Sequence, residues 1–140
     1  MESHSEFPQY LDTLICDDIR QEVSNKLSLI GVYGDKIYVK EFPYTFVKLC
    51  AYQLFRGGRG KFTATILFVD SEGKELTRSP EMPVDIPQGE KLRRVALAFG
   101  VSPLKFDKAG PCEIRTTLDG KDICKYVFSI EKAPPGVLSE

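Results

Sequence analysis

Apolar and polar residues alternate along almost the whole chain, and clusters of glycine, proline, asparagine and aspartate interrupt the alternation every ten or so positions. Alternation with a period of two residues is typical of β-strands, and no segment keeps the spacing of an amphipathic helix for three turns. The pattern therefore predicts an all-β protein. The strands that it predicts are residues 11–22, 27–33, 36–40, 44–55, 61–69, 84–86, 92–99, 111–118 and 121–130.

Two of the predicted strands carry apolar residues on both faces, which is typical of strands in the middle of a sheet. They are the segments 27–33 and 44–55, and we expect both to be central. The first strand leaves one alternative open, because Asp17 could instead cap a single helical turn within residues 16–23.

The last two strands predict a hairpin around Leu118-Asp119-Gly120. A three-residue loop with glycine in its last position is a common type I turn followed by a bulge. A two-residue Asp119-Gly120 loop would pair Ile114 with Lys125 and mix the two faces, so we reject it. The accepted register places on one face Cys112, Ile114, Thr116, Cys124, Tyr126, Phe128 and Ile130.

About eight short antiparallel strands with long apolar central ones predict an antiparallel β-sandwich of immunoglobulin-like or C2-like type. The 140 residues suffice for one domain of this kind. We predict a flexible N-terminal tail over residues 1–10, a single sandwich domain over residues 11–132 and a C-terminal tail over residues 133–140.

Charge is balanced, with 19 basic and 20 acidic residues and a net charge of −1. Proteins that bind nucleic acid or membranes through bulk charge normally carry an excess of one sign, so both partners are disfavoured. The first residues lack the basic and apolar regions of a secretory signal, and no apolar stretch approaches the ~20 residues that span a bilayer. The sequence therefore predicts a soluble cytoplasmic protein.

The cysteines are far apart in sequence and form no Cys-x-x-Cys pair, which argues against a structural zinc site. Each lies in an apolar stretch, where a free cysteine behaves as a small buried hydrophobe. They are Cys16, Cys50, Cys112 and Cys124. The last two fall on one predicted hairpin, where a disulfide would require an oxidising compartment.

The order of residues in the opening hairpin is more informative than their composition alone. It reads Leu-Ile-Cys-Asp-Asp-Ile-Arg-Gln-Glu over residues 14–22 and Asn-Lys-Leu-Ser-Leu-Ile-Gly-Val-Tyr over residues 25–33. This hairpin resembles the start of a family of small bacterial proteins classed as a domain of unknown function, as do the segments 60–73 and 109–128. The resemblance covers about residues 10–131 and implies the fold and a bacterial origin. It implies no activity, cofactor or catalytic residue.

Catalytic chemistry has few candidate residues in this sequence. The single histidine, His4, lies in the predicted N-terminal tail, so the usual Ser-His and Cys-His arrangements are missing. The phosphate-binding pattern Gly-x-x-x-x-Gly-Lys-Ser/Thr is missing as well. We predict that the chain is not an enzyme and uses no cofactor or metal, and a hydrolase that works through carboxylates remains a third hypothesis.

Arg56, Arg59 and Lys61 form a candidate ligand-binding segment in the run Arg-Gly-Gly-Arg-Gly-Lys. Such a run can hold phosphate or RNA. A flexible glycine-rich loop with solvated charges has the same composition, and the balanced overall charge makes nucleic acid an unlikely partner.

Asp17, Asp18 and Arg20 form an alternative polar cluster. C2 domains bind calcium through loop aspartates, and calcium takes 6–8 oxygen ligands. Aspartates are also common in turns for their backbone hydrogen bonds. The charged residues of the segment Asp18-Ile19-Arg20 could instead form ion pairs across strands, worth roughly 0–1 kcal/mol at a surface.

The leading hypothesis is a non-enzymatic protein–protein interaction module that binds another protein or associates with itself. A complete apolar core and exposed strand edges motivate it, and the six tyrosines and nine phenylalanines could supply a contact surface. The alternative is a small-ligand or nucleotide-binding sensor that uses the loop 56–61. A membrane partner is not expected.

Overall fold

The structure, a computed structural model, describes residues 5–88 and 93–137. Within these ranges the chain forms twelve strands and one short 3-10 turn, Val23–Asn25. The strands are β1 (Gln9–Gln21), β2 (Leu27–Tyr33), β3 (Lys36–Val39), β4 (Tyr44–Phe46), β5 (Leu49–Arg56), β6 (Gly60–Val69), β7 (Glu75–Arg78), β8 (Met82–Ile86), β9 (Arg94–Val101), β10 (Leu104–Phe106), β11 (Gly110–Leu118) and β12 (Lys121–Lys132). The predicted all-β class is confirmed. In the described ranges no helix is long and apolar enough to cross a membrane.

The strands form two larger sheets and one small pair. The first sheet has four antiparallel strands in the order β2-β1-β5-β9. The second sheet has six strands, in which β3, β12, β11 and β6 follow one another and both β7 and β8 pair with β6. Strand β3 runs parallel to β12. Strands β4 and β10 form the separate pair.

One apolar core lies between residues of the two larger sheets. Strand β6 shows how the alternating pattern supplies core residues. Its alternate residues Phe62, Ala64, Ile66 and Phe68 are all buried, as the alternation predicts. Ile15, Ala51 and Leu97 of the first sheet belong to the same cluster. Leu104 and Phe106 on β10 are also buried and belong to this cluster.

A fully buried glutamine joins the two sheets. The side-chain nitrogen of Gln53 on β5 donates to Thr13 Oγ1 on β1 at 3.1 Å, and Thr116 Oγ1 on β11 donates to Gln53 Oε1 at 2.5 Å. The hydroxyl of Tyr10 lies 2.6 Å from the same Thr13 oxygen. Because buried polar groups are costly when unpaired, this network fixes how the sheets face each other.

The predicted number of strands, about eight, is too low. Segment 44–55 is two strands rather than one, since Val47 is 83% exposed and the chain leaves one sheet there for another. Strands β7 and β10 are too short to show alternation, so the sequence pattern missed them. The alternative helical turn at Asp17 is wrong, because β1 stays extended through Gln21. Of the predicted residues, His4, Lys91 and Leu92 lie outside the described ranges.

The turn of the last hairpin differs from the prediction. Leu118 pairs with Lys121, and φ angles of 51° at Asp119 and 78° at Gly120 are those of a two-residue type I′ turn. A bulge beside Thr116 then shifts the pairing by one residue, which restores the predicted facing of the two strands. The predicted three-residue loop is wrong. The predicted sharing of one face is confirmed, although the partners differ, since Ile114 lies opposite Tyr126.

Replacing Gln53 by leucine, a residue of similar volume, should lower the free energy of unfolding by about 1–3 kcal/mol, because Thr13 and Thr116 lose a buried partner. Urea unfolding followed by circular dichroism measures the change. Replacing the exposed Gln9 by leucine is the matched control and should change the value by less than about 0.5 kcal/mol. An unchanged unfolding midpoint in Gln53→Leu would show that the network does not support the fold.

Candidate functional site

Strand β1 is longer than the strand beside it. Its first half pairs with β5 as far as Cys16, and its second half pairs with β2 from Ile15 to Gln21. Residues 17–21 therefore have β2 as their strand partner and extend past the end of β5. We call residues 17–31 the arm, a two-stranded ribbon that continues from the first sheet. Such ribbons are only marginally stable by themselves.

The base of the arm is held by a tyrosine and a glycine. The hydroxyl of Tyr33 donates a hydrogen bond to the carboxylate of Asp17 on the neighbouring strand. Gly31 has a φ of +70°, and a Cβ atom there would lie 2.3 Å from Asp17 Oδ2. Glycine is therefore required at this position by its backbone conformation and by the space that the carboxylate takes. Burial, together with the bond to Asp17, raises the pKa of Tyr33, so its hydroxyl remains a donor at neutral pH.

A second contact holds the edge of β1 where β5 begins. Lys48 Nζ donates to Asp18 Oδ1 at 2.7 Å, and Arg20 Nε donates to Asp18 Oδ2 at 3.2 Å. The hydrogen bond from Lys48, followed by that from Arg20, lowers the pKa of Asp18. The Sγ atom of Cys50 lies 3.8 Å from the backbone oxygen of Asp17 on the same edge.

The structure brings together only part of the cluster Asp17, Asp18 and Arg20. Asp18 forms ion pairs with both Arg20 and Lys48, whereas Asp17 accepts a hydrogen bond from Tyr33. Successive residues of a strand point to opposite faces, so the two carboxylates do not converge. In the described part of the chain no three His, Cys, Asp or Glu residues are grouped so as to hold a metal ion. The arrangement fits a structural contact that anchors the arm.

Other aspartates serve turns. Asp70 Oδ1 accepts hydrogen bonds from the backbone nitrogens of Glu72 and Lys74, both at 2.9 Å. Asp119 Oδ1 accepts one from the nitrogen of Thr63 at 2.8 Å. The bonds of Asp70 are the local backbone bonds that favour aspartate in turns, whereas the bond of Asp119 joins the last turn to β6.

The loop 56–61 is shaped by the chain segment that passes over it. The backbone groups of Arg59 and Glu6 exchange two hydrogen bonds of 2.9 Å. A Cβ atom at Gly58 would lie 2.7 Å from the nitrogen of Pro8, and one at Gly60 would lie 2.8 Å from Ser5 Oγ. These glycines therefore allow a close backbone approach, which the sequence alone could not distinguish from a flexible loop.

Two of the three basic residues of that loop meet at one cavity. Arg59 and Lys61 line an open cavity of about 340 Å³ together with Ser5 and Asp85. Arg56 lies at the end of β5, opposite Arg94 on β9, and is not among the described residues that line this cavity. The predicted group of three cations is thus divided, and Asp85 places a negative charge beside the remaining two.

The cysteines are buried as free thiols. Cys16, Cys50 and Cys112 are buried and Cys124 is half-buried, so the prediction of small buried hydrophobes is confirmed for the first three. Burial raises the pKa of Cys16 and of Cys112 to about 11. Their thiolates are therefore scarce at neutral pH, which makes these thiols poor nucleophiles.

Strand β2 lies at the edge of the first sheet, so the prediction of a central position is wrong. Its apolar residues are exposed instead, by 41% at Leu27, 40% at Ile30 and 50% at Val32. The strand Leu27–Tyr33 contains no charged residue and no proline. A strand with apolar residues on both faces can therefore be a central strand or an edge strand.

The other edges of the two larger sheets carry features that discourage pairing. Strand β7 has Glu75 and Arg78, and β8 has Pro83 and an aspartate. Strand β3 has four residues and begins with a lysine, and β9 begins with an arginine. Among the described edge strands of these sheets, β2 is the one without a charge or a proline.

Aliphatic residues rather than aromatic ones form this exposed surface. Four of the six tyrosines pack against the core, namely Tyr10, Tyr33, Tyr44 and Tyr126. The aromatic surplus in the sequence therefore serves mainly to fill the interior. The exposed apolar surface that sequence reasoning missed is the edge of β2. Its seven uncharged residues do not reveal it, because the central strand β5 also has seven consecutive uncharged residues.

A family model, that of a family of unknown function (DUF6941), matches residues 11–131. The match covers the arm and both larger sheets. None of the curated proteins matches the chain. The resemblance to a family of unknown function is therefore confirmed, while the bacterial origin and the specific hairpin motif stay predictions.

Replacing Lys48 by methionine should raise the pKa of Asp18, and replacing Arg20 by methionine should raise it less, because Lys48 is the stronger cause of the lowering. Carboxyl NMR titration measures both. Because the pKa of Asp18 is lowered in the folded protein, the contact stabilises the fold above the unfolded pKa of about 3.9. This stabilisation is lost as the pH falls through the folded pKa of Asp18. The account is contradicted if the pKa of Asp18 does not change in Lys48→Met.

Proposed function

The chain belongs to the DUF6941 family, whose function is unknown, and from its own surface we propose that it is a non-enzymatic protein-binding module that uses the free edge of β2. The observation that carries the proposal is an uncharged, half-exposed apolar strand at a sheet edge. In the described ranges β2 pairs with β1 alone. Its other side presents backbone N–H and C=O groups, which are the groups that an added strand binds.

Addition of a strand to a sheet edge obtains affinity from main-chain hydrogen bonds and specificity from alternate side chains. Ile30 and Val32 are alternate residues and so point to one face, whereas Leu29 points to the other. Covering a half-exposed isoleucine or valine contributes on the order of 1 kcal/mol. The edge thus combines directional backbone groups with apolar side chains on both sides.

The outer face of the first sheet, which is turned away from the second sheet, continues from β2 across β1 and β5. Val32 pairs with Cys16, and Cys16 pairs with Cys50, so these side chains share a face. Both cysteines are buried and are not members of the core cluster, so they lie on the outer face beneath their neighbours and add no exposed area. In the next row Leu14, Tyr52 and Ala98 pair in the same way. A partner on β2 can therefore extend over this face.

Binding of a small anionic ligand is the second candidate function, and the cavity beside Arg59 and Lys61 favours it. Titration calorimetry with nucleoside triphosphates and inorganic phosphate tests it. Salt-sensitive binding that is weakened about tenfold by Arg59→Ala would support this function. Equal binding by the two proteins, or no binding, would contradict it.

We also propose the finer fold class and compartment. The orders β1-β5-β9 and β6-β11-β12 correspond to the strand orders A-B-E and C-F-G of an immunoglobulin domain, which supports an immunoglobulin-like sandwich. Four free cysteines support a reducing, cytoplasmic location.

Replacing Val32 by lysine should abolish partner binding, because it places a charge on the outer face of the proposed contact strand. Val127→Lys is the matched control, since both residues are valines in strands, with exposures of 50% and 51%. The immobilised proteins are incubated with native extract and with a differently tagged copy of the chain, and retained proteins are measured by quantitative mass spectrometry. We expect Val32→Lys to reduce retention at least about tenfold and Val127→Lys to leave it unchanged. Equal losses in both variants, or no retained protein, would contradict the proposal.

A further inference from the structure

The charge pattern around β2 is complementary to itself. The strand Leu27–Tyr33 is uncharged, Lys26 comes directly before it, and Asp35 follows it after one glycine. When two copies of the strand run antiparallel, Lys26 of each lies near Asp35 of the other, while the next residue, Lys36, already belongs to β3 in the second sheet. Two identical edges can therefore meet without opposing like charges, and with one favourable pair at each end.

The faces of the strand select one register. Side chains that lie directly opposite each other on antiparallel strands point to the same face of the sheet. The exposed side chains of Ile30 and Val32 continue as one apolar surface only if even-numbered residues oppose even-numbered residues. The register that meets this condition and pairs the whole strand places Leu27 opposite Tyr33 and Ile30 opposite its own copy. Lys26 then lies opposite Gly34, one position from the other copy's Asp35.

We infer that the partner on the β2 edge is the β2 edge of a second copy of this chain, with a two-fold axis at Ile30. This inference rests on the proposed function, because it names the partner of the same surface. The first sheets of the two copies become one eight-stranded sheet, in which each arm gains a strand on its open side. Because a two-stranded ribbon is only marginally stable, pairing with a further strand stabilises the arm.

Two-fold symmetry distinguishes this contact from the other pairing open to the sheet. Pairing of β2 with the β9 edge of another copy would be head-to-tail and would build a ring or a filament rather than a two-fold dimer. It would also bring Arg94 of β9 against an uncharged strand. Pairing of β2 with β2 uses the same residues on both sides and closes at two copies. A dimer is therefore the expected assembly.

Charge exchange at Ile30 tests the axis directly. In Ile30→Lys two lysines face each other across the axis, and in Ile30→Glu two glutamates do so. Like charges that lie directly opposite each other destabilise the pairing of two strands. Each variant alone should be a monomer at a concentration at which the wild type is a dimer. An equimolar mixture of the two variants should form a heterodimer, since lysine then faces glutamate. Sedimentation velocity measures the mass against the 15.7 kDa of one chain, and circular dichroism checks that each variant is folded.

The wild type should be a dimer at high concentration and dissociate on dilution, and each single variant should raise the dissociation constant at least about tenfold. Val127→Lys is the control and should dimerise like the wild type. A wild type that stays monomeric up to about 500 µM, well above the ~1 µM range of moderate association, overturns the inference. So do single variants that still dimerise and a mixture that stays monomeric. If the wild type is monomeric but retains another protein through Val32, the proposed function stands and only this inference fails.

Discussion

Strand β1 has thirteen residues, and β5 pairs with it only as far as Cys16. The remainder of β1 must find its hydrogen bonds on the other side, from β2. The length of this strand therefore creates the arm, and the arm creates the open edge on which the proposed function depends. The bond between Tyr33 and Asp17 and the ion pair between Lys48 and Asp18 hold the arm at the point where the support of β5 ends.

The body of the protein is built independently of that edge. Its core takes residues from both larger sheets, and the network around Gln53 gives the sheets a fixed relation. None of the three exposed apolar residues of β2 belongs to the core cluster. The edge can therefore serve binding, and substitutions there leave the packing of the body intact. This separation is what makes Val32 and Ile30 informative sites for mutagenesis.

Sequence reasoning succeeded where one local pattern has one structural meaning. The alternation in β6 predicted its four buried residues, because a strand with one wet face must have a period of two. It failed where a pattern has two meanings. Apolar residues on both faces of β2 describe a central strand or an open edge, and only the pairing of β1 decides between them. At Asp119-Gly120 the turn and the register could be reconciled only by a bulge, which no residue in the sequence announces.

The candidate site was harder to predict than the fold. The glycines of the loop 56–61 indicated a flexible ligand loop, but at Gly58 and Gly60 they accommodate a chain segment fifty residues away in sequence, whose approach is visible only in three dimensions. The pair Asp17-Asp18 left calcium binding open beside the prediction of no metal, but strand geometry turns the two carboxylates apart. In both cases the residue types were noticed, and the long-range contacts that give them their role were not predictable.

Amide hydrogen exchange of β2 tests the central claim most directly, because it reports on the backbone groups of the edge itself. The exchange rates of residues 27–33 are compared at low and high protein concentration. If the free edge is the contact surface, alternate amides of β2 that face away from β1 gain protection at high concentration, while the edge strands β7 and β9 do not change. Equal protection of β2 at both concentrations and in the presence of native extract would contradict the account.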